Sequence, residues 1–159
     1  MNNLIEALHS RGRMLAESDI QIRILVVEDH DAFRRFVSST LQEQANWQVI
    51  GEVEDGLDAI RQAEALQPDV ILLDIGLPGM NGIEAARQIS HVACNARIIF
   101  LTQESSLDVV REAFCAGAWG YVLKAQAGAE LLAAVDTVSR GRQFVSDGLN
   151  GHANPDTAS

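Results

Sequence analysis

The sequence predicts an α/β fold, an open doubly wound sheet of five parallel strands with five helices on its faces. Three observations predict it. Short apolar runs recur five times, with the length and composition of strands buried on both faces. Stripes of apolar residues at helical spacing fall between them. Acidic residues stand directly after the first and third runs, on the edge where such sheets place their sites.

The strands are expected at Ile22 to Val27, Trp47 to Val53, Val70 to Leu73, Ile98 to Leu101 and Tyr121 to Leu123. The first helix carries Phe33, Phe36, Val37, Thr40 and Leu41 on one face. The second carries Ala59, Ile60, Ala63 and Leu66, and the third Ile83, Ala86 and Ile89. The fourth carries Val109, Val110, Ala113 and Phe114, and the fifth Leu131, Leu132, Val135 and Val138. Asp55 and Asn81 stand where N-caps belong, and Gly117 follows the fourth helix as a stop. This unit spans 21–146. Residues 1–20 are weakly amphipathic through Leu4, Leu8 and Leu15, and read as an extension with helical potential. Residues 147–159 are polar and read as a tail or linker.

Composition narrows the function. Apolar residues make up 47% of the 159, enough for a core without disulfides, while aromatics are only 5%, so Val, Ile, Leu and Ala must fill it. Twenty-two acidic residues against twelve basic ones give a net charge of −10, which argues against this chain gripping nucleic acid by itself. Cys94 and Cys115 form no CxxC pair and read as buried reduced thiols of a cytoplasmic protein. The start of the chain lacks the continuous apolar core of a signal peptide, and no run approaches the roughly 20 apolar residues of a membrane span.

The chemistry gathers at strand ends. Glu28 and Asp29 follow the first strand and Asp74 the third. In a parallel sheet all these ends open on one edge, so three carboxylates share a crevice and repel one another. Protonation or a cation relieves the repulsion. Oxygen ligands without Cys or His favour a hard ion, Mg2+ or Mn2+. Thr102 closes the fourth strand and Lys124 the fifth. Singly, each has an ordinary reading: a helix cap, a surface lysine, a strand threonine. Together, a carboxylate nucleophile, a hydroxyl, a lysine and a cation make a phosphoryl-transfer site.

Three segments carry a family resemblance. Val26-Val27-Glu28-Asp29-His30 resembles the acidic-pair motif of response-regulator receiver domains. Asp74-Ile75-Gly76-Leu77-Pro78-Gly79-Met80-Asn81-Gly82 resembles their phosphoacceptor loop almost letter for letter, and Ala116 to Lys124 resembles their last-strand signature. The likeness covers roughly 22–145, and Ser139 to Ser146 is similar to the end of receivers of the NarL/FixJ-type subfamily. It implies a flavodoxin-like sheet of order 2-1-3-4-5. It implies Asp74 as phosphoacceptor and a cation held by Asp29, Asp74, the Gly76 carbonyl and, through water, Glu28. Thr102 and Lys124 would contact phosphoryl oxygens, with Thr102 and Tyr121 forming the switch, Tyr121 turning inward as Thr102 moves. The implied donor is a histidine kinase or phosphotransfer protein.

The sequence also departs from the family pattern. Ala125 stands where many receivers have proline, so no cis bond is expected after Lys124. Gln103 replaces a small residue and is expected to narrow access to Asp74. No helix-turn-helix segment follows residue 146, which favours a single-domain regulator over a fragment of a DNA-binding one. Gly76 offers no side chain to align a hydrolytic water, leaving Glu104 as the nearest candidate. It also counts against an Asp-nucleophile phosphohydrolase, which needs a second Asp two places on. A dinucleotide- or flavin-binding fold would need a glycine-rich turn where Glu28-Asp29-His30 stands. His30 reads as a cap, and His9, His91 and His152 share no metal spacing. Trp119, two residues before Tyr121, is placed with it on the face of the fourth helix, fifth strand and fifth helix, as an anchor for a homodimer or partner.

Overall fold

The computed structural model describes residues 20–149. The expected N-terminal helix and most of the polar tail lie outside the described residues. Strands β1 (Ile22–Val27), β2 (Trp47–Val53), β3 (Val70–Leu73), β4 (Arg97–Thr102) and β5 (Gly120–Leu123) alternate with helices α1 (Asp31–Gln42), α2 (Gly56–Leu66), α3 (Gly82–Val92), α4 (Leu107–Cys115) and α5 (Ala127–Ser139).

The expected caps form. Asp55 accepts a hydrogen bond from the Asp58 amide at 2.8 Å, and Asn81 from the Ile83 amide at 2.7 Å. Gly117 ends α4 at φ +101°, a conformation that favours glycine. No cis peptide bond occurs among the described residues.

All strand pairings are parallel. The sheet has six strands in the order β2-β1-β3-β4-β5-β6, not five, because Phe144–Val145 adds a short β6 beside β5. The Phe144 amide donates to the Trp119 carbonyl at 3.0 Å and the Ser146 amide to the Tyr121 carbonyl at 2.9 Å. Two residues are too few to show periodicity, so β6 left no pattern in the sequence. The chain then makes a 3-10 turn, Asp147–Leu149, whose Leu149 is buried. Leu149 thus packs against the core three residues beyond position 146.

Side chains alternate across the sheet. Leu25, Val27, Ile71, Leu73, Phe100 and Tyr121 pack on the face covered by α2, α3 and α4. Ile24, Val26, Leu72 and Val122 pack on the face covered by α1 and α5. Phe36, expected on the inner stripe of α1, is 42% exposed. The buried stripe runs through Val37 and Leu41, which leaves Phe36 on its flank. Both cysteines are exposed rather than buried, Cys94 after α3 and Cys115 at the end of α4.

Candidate functional site

The sheet order reverses around β1, which has β2 on one side and β3 on the other, so a crevice opens beyond the ends of β1 and β3. Backbone pairing runs one step past the strands. The Glu28 amide donates to the Val53 carbonyl at 2.9 Å and the Asp74 amide to the Val27 carbonyl at 3.2 Å. These bonds bring the acidic pair beside Asp74. Glu28 and Asp74 are buried, and Asp29 is half-buried.

Lys124 opens the 3-10 turn after β5 and reaches back into the crevice. Its Nζ stands 3.0 Å from Asp74 Oδ2 and also contacts Glu28 Oε1. The ring of Phe33 lies 5.0 Å from the same ammonium. Burial alone would pull the Lys124 pKa down, but its hydrogen bonds to Glu28 and Asp74 outweigh burial and hold it above the ordinary lysine range. Burial pushes the Glu28 carboxyl up, and the Lys124 hydrogen bond opposes that only in part. With Glu28, Asp29 and Asp74 ionised and Lys124 protonated, the four groups sum to −2.

The loop after β3 is built around Asp74. The Gly76 amide donates to Asp74 Oδ1 at 3.2 Å, and the Gly82 amide to the Ile75 carbonyl at 2.8 Å. Gly79 takes φ +80°, and Gly82 packs so closely that a Cβ there would sit 2.1 Å from the Asp74 carbonyl oxygen. Gly76 itself is exposed, with nothing within 4 Å of where its Cβ would be.

Thr102 ends β4, buried, and its hydroxyl accepts from the Glu104 amide at 3.3 Å. Tyr121 is fully buried and donates to the Glu104 carbonyl at 2.6 Å. The Glu104 side chain accepts from the Ser106 amide at 3.2 Å, and Gln103 is exposed. Trp119 does not share the Tyr121 face. It packs on the side of α1 and α5, with the Arg97 guanidinium 4.9 Å from its ring. The alternation rule holds within a strand, and β5 begins only at Gly120.

Two residues that sequence reasoning left aside also bear on the site. Arg34 Nη1 donates to the Glu28 carbonyl at 2.9 Å, tying α1 to the backbone of the acidic pair. His30 is the N-cap residue of α1, yet its side chain makes no capping bond. Its Nδ1 lies 3.3 Å from Asp29 Oδ1 and 3.5 Å from Glu28 Oε2. Adjacency to the acidic pair was the one available signal for His30.

The donor set suits a divalent cation. Asp29 Oδ1 is buried with no hydrogen bond, and Glu28 Oε1 is buried with only the Lys124 ammonium beside it. An orphaned acceptor such as Asp29 Oδ1 costs free energy unless a cation or water meets it. Carboxylate oxygens are hard donors, matched to Mg2+, and a charge of +2 would cancel the site's −2.

The family model described as the response regulator receiver domain matches residues 24–136. The chain is 40% identical over 120 residues to the transcriptional regulatory protein LiaR of Bacillus subtilis, covering 76% of this chain and 57% of LiaR. It is 32% identical over 125 residues to the response regulator GacA of Pseudomonas viridiflava, covering 79% of this chain and 58% of GacA. The chain thus spans a little under three fifths of the curated relatives it matches. A LuxR-family two-component response regulator from Aurantimonas sp. SI85-9A1 superposes with a TM-score of 0.81 at 31% identity, covering 87% of this chain and 99% of that one. The receiver domain of the putative response regulator NarL from Mycobacterium tuberculosis gives 0.73 at 32% identity, covering 77% of this chain and 98% of that one. By fold, motif and match, the chain belongs to the response regulator receiver domains of two-component systems, in their NarL/FixJ-type subfamily.

Proposed function

We propose that this receiver accepts a phosphoryl group on Asp74 from a histidine kinase or phosphotransfer protein, and that the modification changes its surface to control a partner. The observation that carries the reading is the Asp74 carboxylate at the crevice, held by Lys124 at 3.0 Å beside the Glu28 and Asp29 carboxylates. An Asp74 oxygen attacks phosphorus as the donor's imidazole leaves. Lys124 meets the charge of the phosphoryl oxygens, and Thr102 donates its hydroxyl to one of them. Glu28, Asp29, Asp74 and the Gly76 carbonyl would hold Mg2+ or Mn2+, which supplies charge neutralisation for the transfer. The reaction is one the domain performs on itself, so its role is a switch and not that of an enzyme acting on a free substrate.

Among the described residues no helix is long and apolar enough to cross a membrane. Two free, exposed cysteines suit the reducing cytoplasm, which is the proposed location. The output is read in two ways. A single-domain regulator acting through a protein partner or homodimer is one. A transcriptional output is the other, favoured by the name and greater length of LiaR.

Incubation with acetyl phosphate and Mg2+ tests the chemistry, read by intact mass. One phosphoryl group is expected on the wild-type chain and none on Asp74→Asn. Glu28→Gln should slow labelling less than Asp29→Asn. Undiminished labelling of Asp74→Asn would overturn the assignment.

A further inference from the structure

We infer that His30 supplies a nitrogen ligand to the cation at the acidic crevice, so that the site discriminates for borderline ions such as Zn2+ and Co2+ over Mg2+. The inference rests on the reading of Glu28, Asp29 and Asp74 as cation ligands. Donor atoms from Glu28, Asp29, His30 and Asp74 all lie within 4.8 Å of one another. His30 Nδ1 is 3.3 Å from Asp29 Oδ1 and 3.5 Å from Glu28 Oε2. Donors bound at about 2.1 Å to one ion sit roughly 3.0 Å apart at right angles and roughly 3.4 Å apart at the tetrahedral angle. The imidazole nitrogen therefore stands at the separation that shared coordination requires.

No competing task accounts for the ring. Its side chain makes no bond to the start of α1, and its two ion-pair contacts are the carboxylates of the site itself. Its side chain is 68% exposed, so a small rotation is free to bring it onto an ion without disturbing the core. Asp29 Oδ1, the acceptor nearest the ring, is buried and lacks any hydrogen bond. Carboxylates alone favour Mg2+, whereas imidazole binds Mg2+ poorly and Zn2+, Ni2+ or Co2+ well. One nitrogen added to an oxygen set raises affinity for those ions and leaves Mg2+ nearly unchanged.

The test compares the whole chain with His30→Ala, an exposed position where folding is not at risk. Mg2+ and Zn2+ affinities are measured by calorimetry at neutral pH, and Mn2+-loaded protein is read by electron spin echo modulation. Loss of His30 should lower Zn2+ affinity at least about tenfold, the lower end of what even an outer-shell partner contributes, and change Mg2+ affinity by less than about twofold. Wild-type Mn2+ protein should show coupling to nitrogen that His30→Ala lacks. Equal Zn2+ affinity in both proteins, or no nitrogen coupling in the wild type, overturns the role of His30 while the oxygen site stands. Failure of the wild type to bind Mg2+, or Mg2+ binding that Asp29→Asn leaves intact, overturns the underlying site and this inference with it.

Discussion

Gly82→Ala gives the sharpest test of how the loop after Asp74 is built. Gly82 is the first residue of α3, and its φ is not in the left-handed region, so its requirement is space rather than backbone freedom. A Cβ there would lie 2.1 Å from the Asp74 carbonyl oxygen and 2.8 Å from Ile75 Cα. Both are backbone atoms, so no side chain can swing aside. Relief requires about 1 Å of separation between α3 and the loop, which strains the 2.8 Å bond from the Gly82 amide to the Ile75 carbonyl. Overpacking costs about 1–3 kcal/mol and the hydrogen bond about 1 kcal/mol, less up to about 1 kcal/mol returned by alanine's helix propensity. The net loss should be about 1–4 kcal/mol, a large share of the stability of an ordinary domain. Urea unfolding should show a lower midpoint with an unchanged slope, and the melting temperature should fall by roughly 10 °C. Gly76→Ala is the control: nothing lies within 4 Å of its Cβ, so its midpoint should stay within about 0.5 kcal/mol of wild type. Equal stability of Gly82→Ala and Gly76→Ala would refute the close approach at Asp74.

Lys124→Met removes the ammonium that stands against the buried Glu28 and Asp74 carboxylates and should cost about 3 kcal/mol without metal. Saturating Mg2+ should then restore more stability than it adds to the wild type, as melting curves with and without Mg2+ would show; an equal Mg2+ increment in both would contradict this account. Tyr121 is the chain's one tyrosine, so tyrosinate absorbance reads it alone. Burial first, then the Glu104 and Asp74 charges, raise its pKa above 10.0. Its stabilising contribution is therefore complete below pH 10 and lost as pH rises toward the folded value, and ionisation should coincide with alkaline unfolding. Ionisation near pH 10 with the circular dichroism intact would argue against the buried position. Gly76→Asn adds an amide at the exposed position beside Asp74 and should shorten the lifetime of the phosphorylated protein, measured as decay of the labelled mass; an unchanged rate would remove position 76 from hydrolysis.

The sequence by itself determined those features that depend on near neighbours. The residues of β1, β2 and β3 stand at the expected bounds because β1 and β3 are short, nearly all-apolar runs and β2 alternates apolar with polar residues. Asp55 and Asn81 cap because a cap needs only a short polar side chain and amides two or three residues on. Glu28, Asp29, Asp74 and Lys124 meet because parallel strands deliver their ends to one edge, which follows once the alternation of elements is read. Tertiary packing decided the rest. Phe36 is exposed because the direction in which α1 faces the sheet is set by its neighbours and not by its own spacing. Trp119 lies across the sheet from Tyr121 because the strand starts one residue later than the alternation argument needs. The two residues of β6 and the buried Leu149 have no local pattern strong enough to specify them; they are held by Trp119, Tyr121 and the core they complete. The same holds for the His30 ring beside Asp29, whose position is a distance in space between side chains that no periodicity encodes.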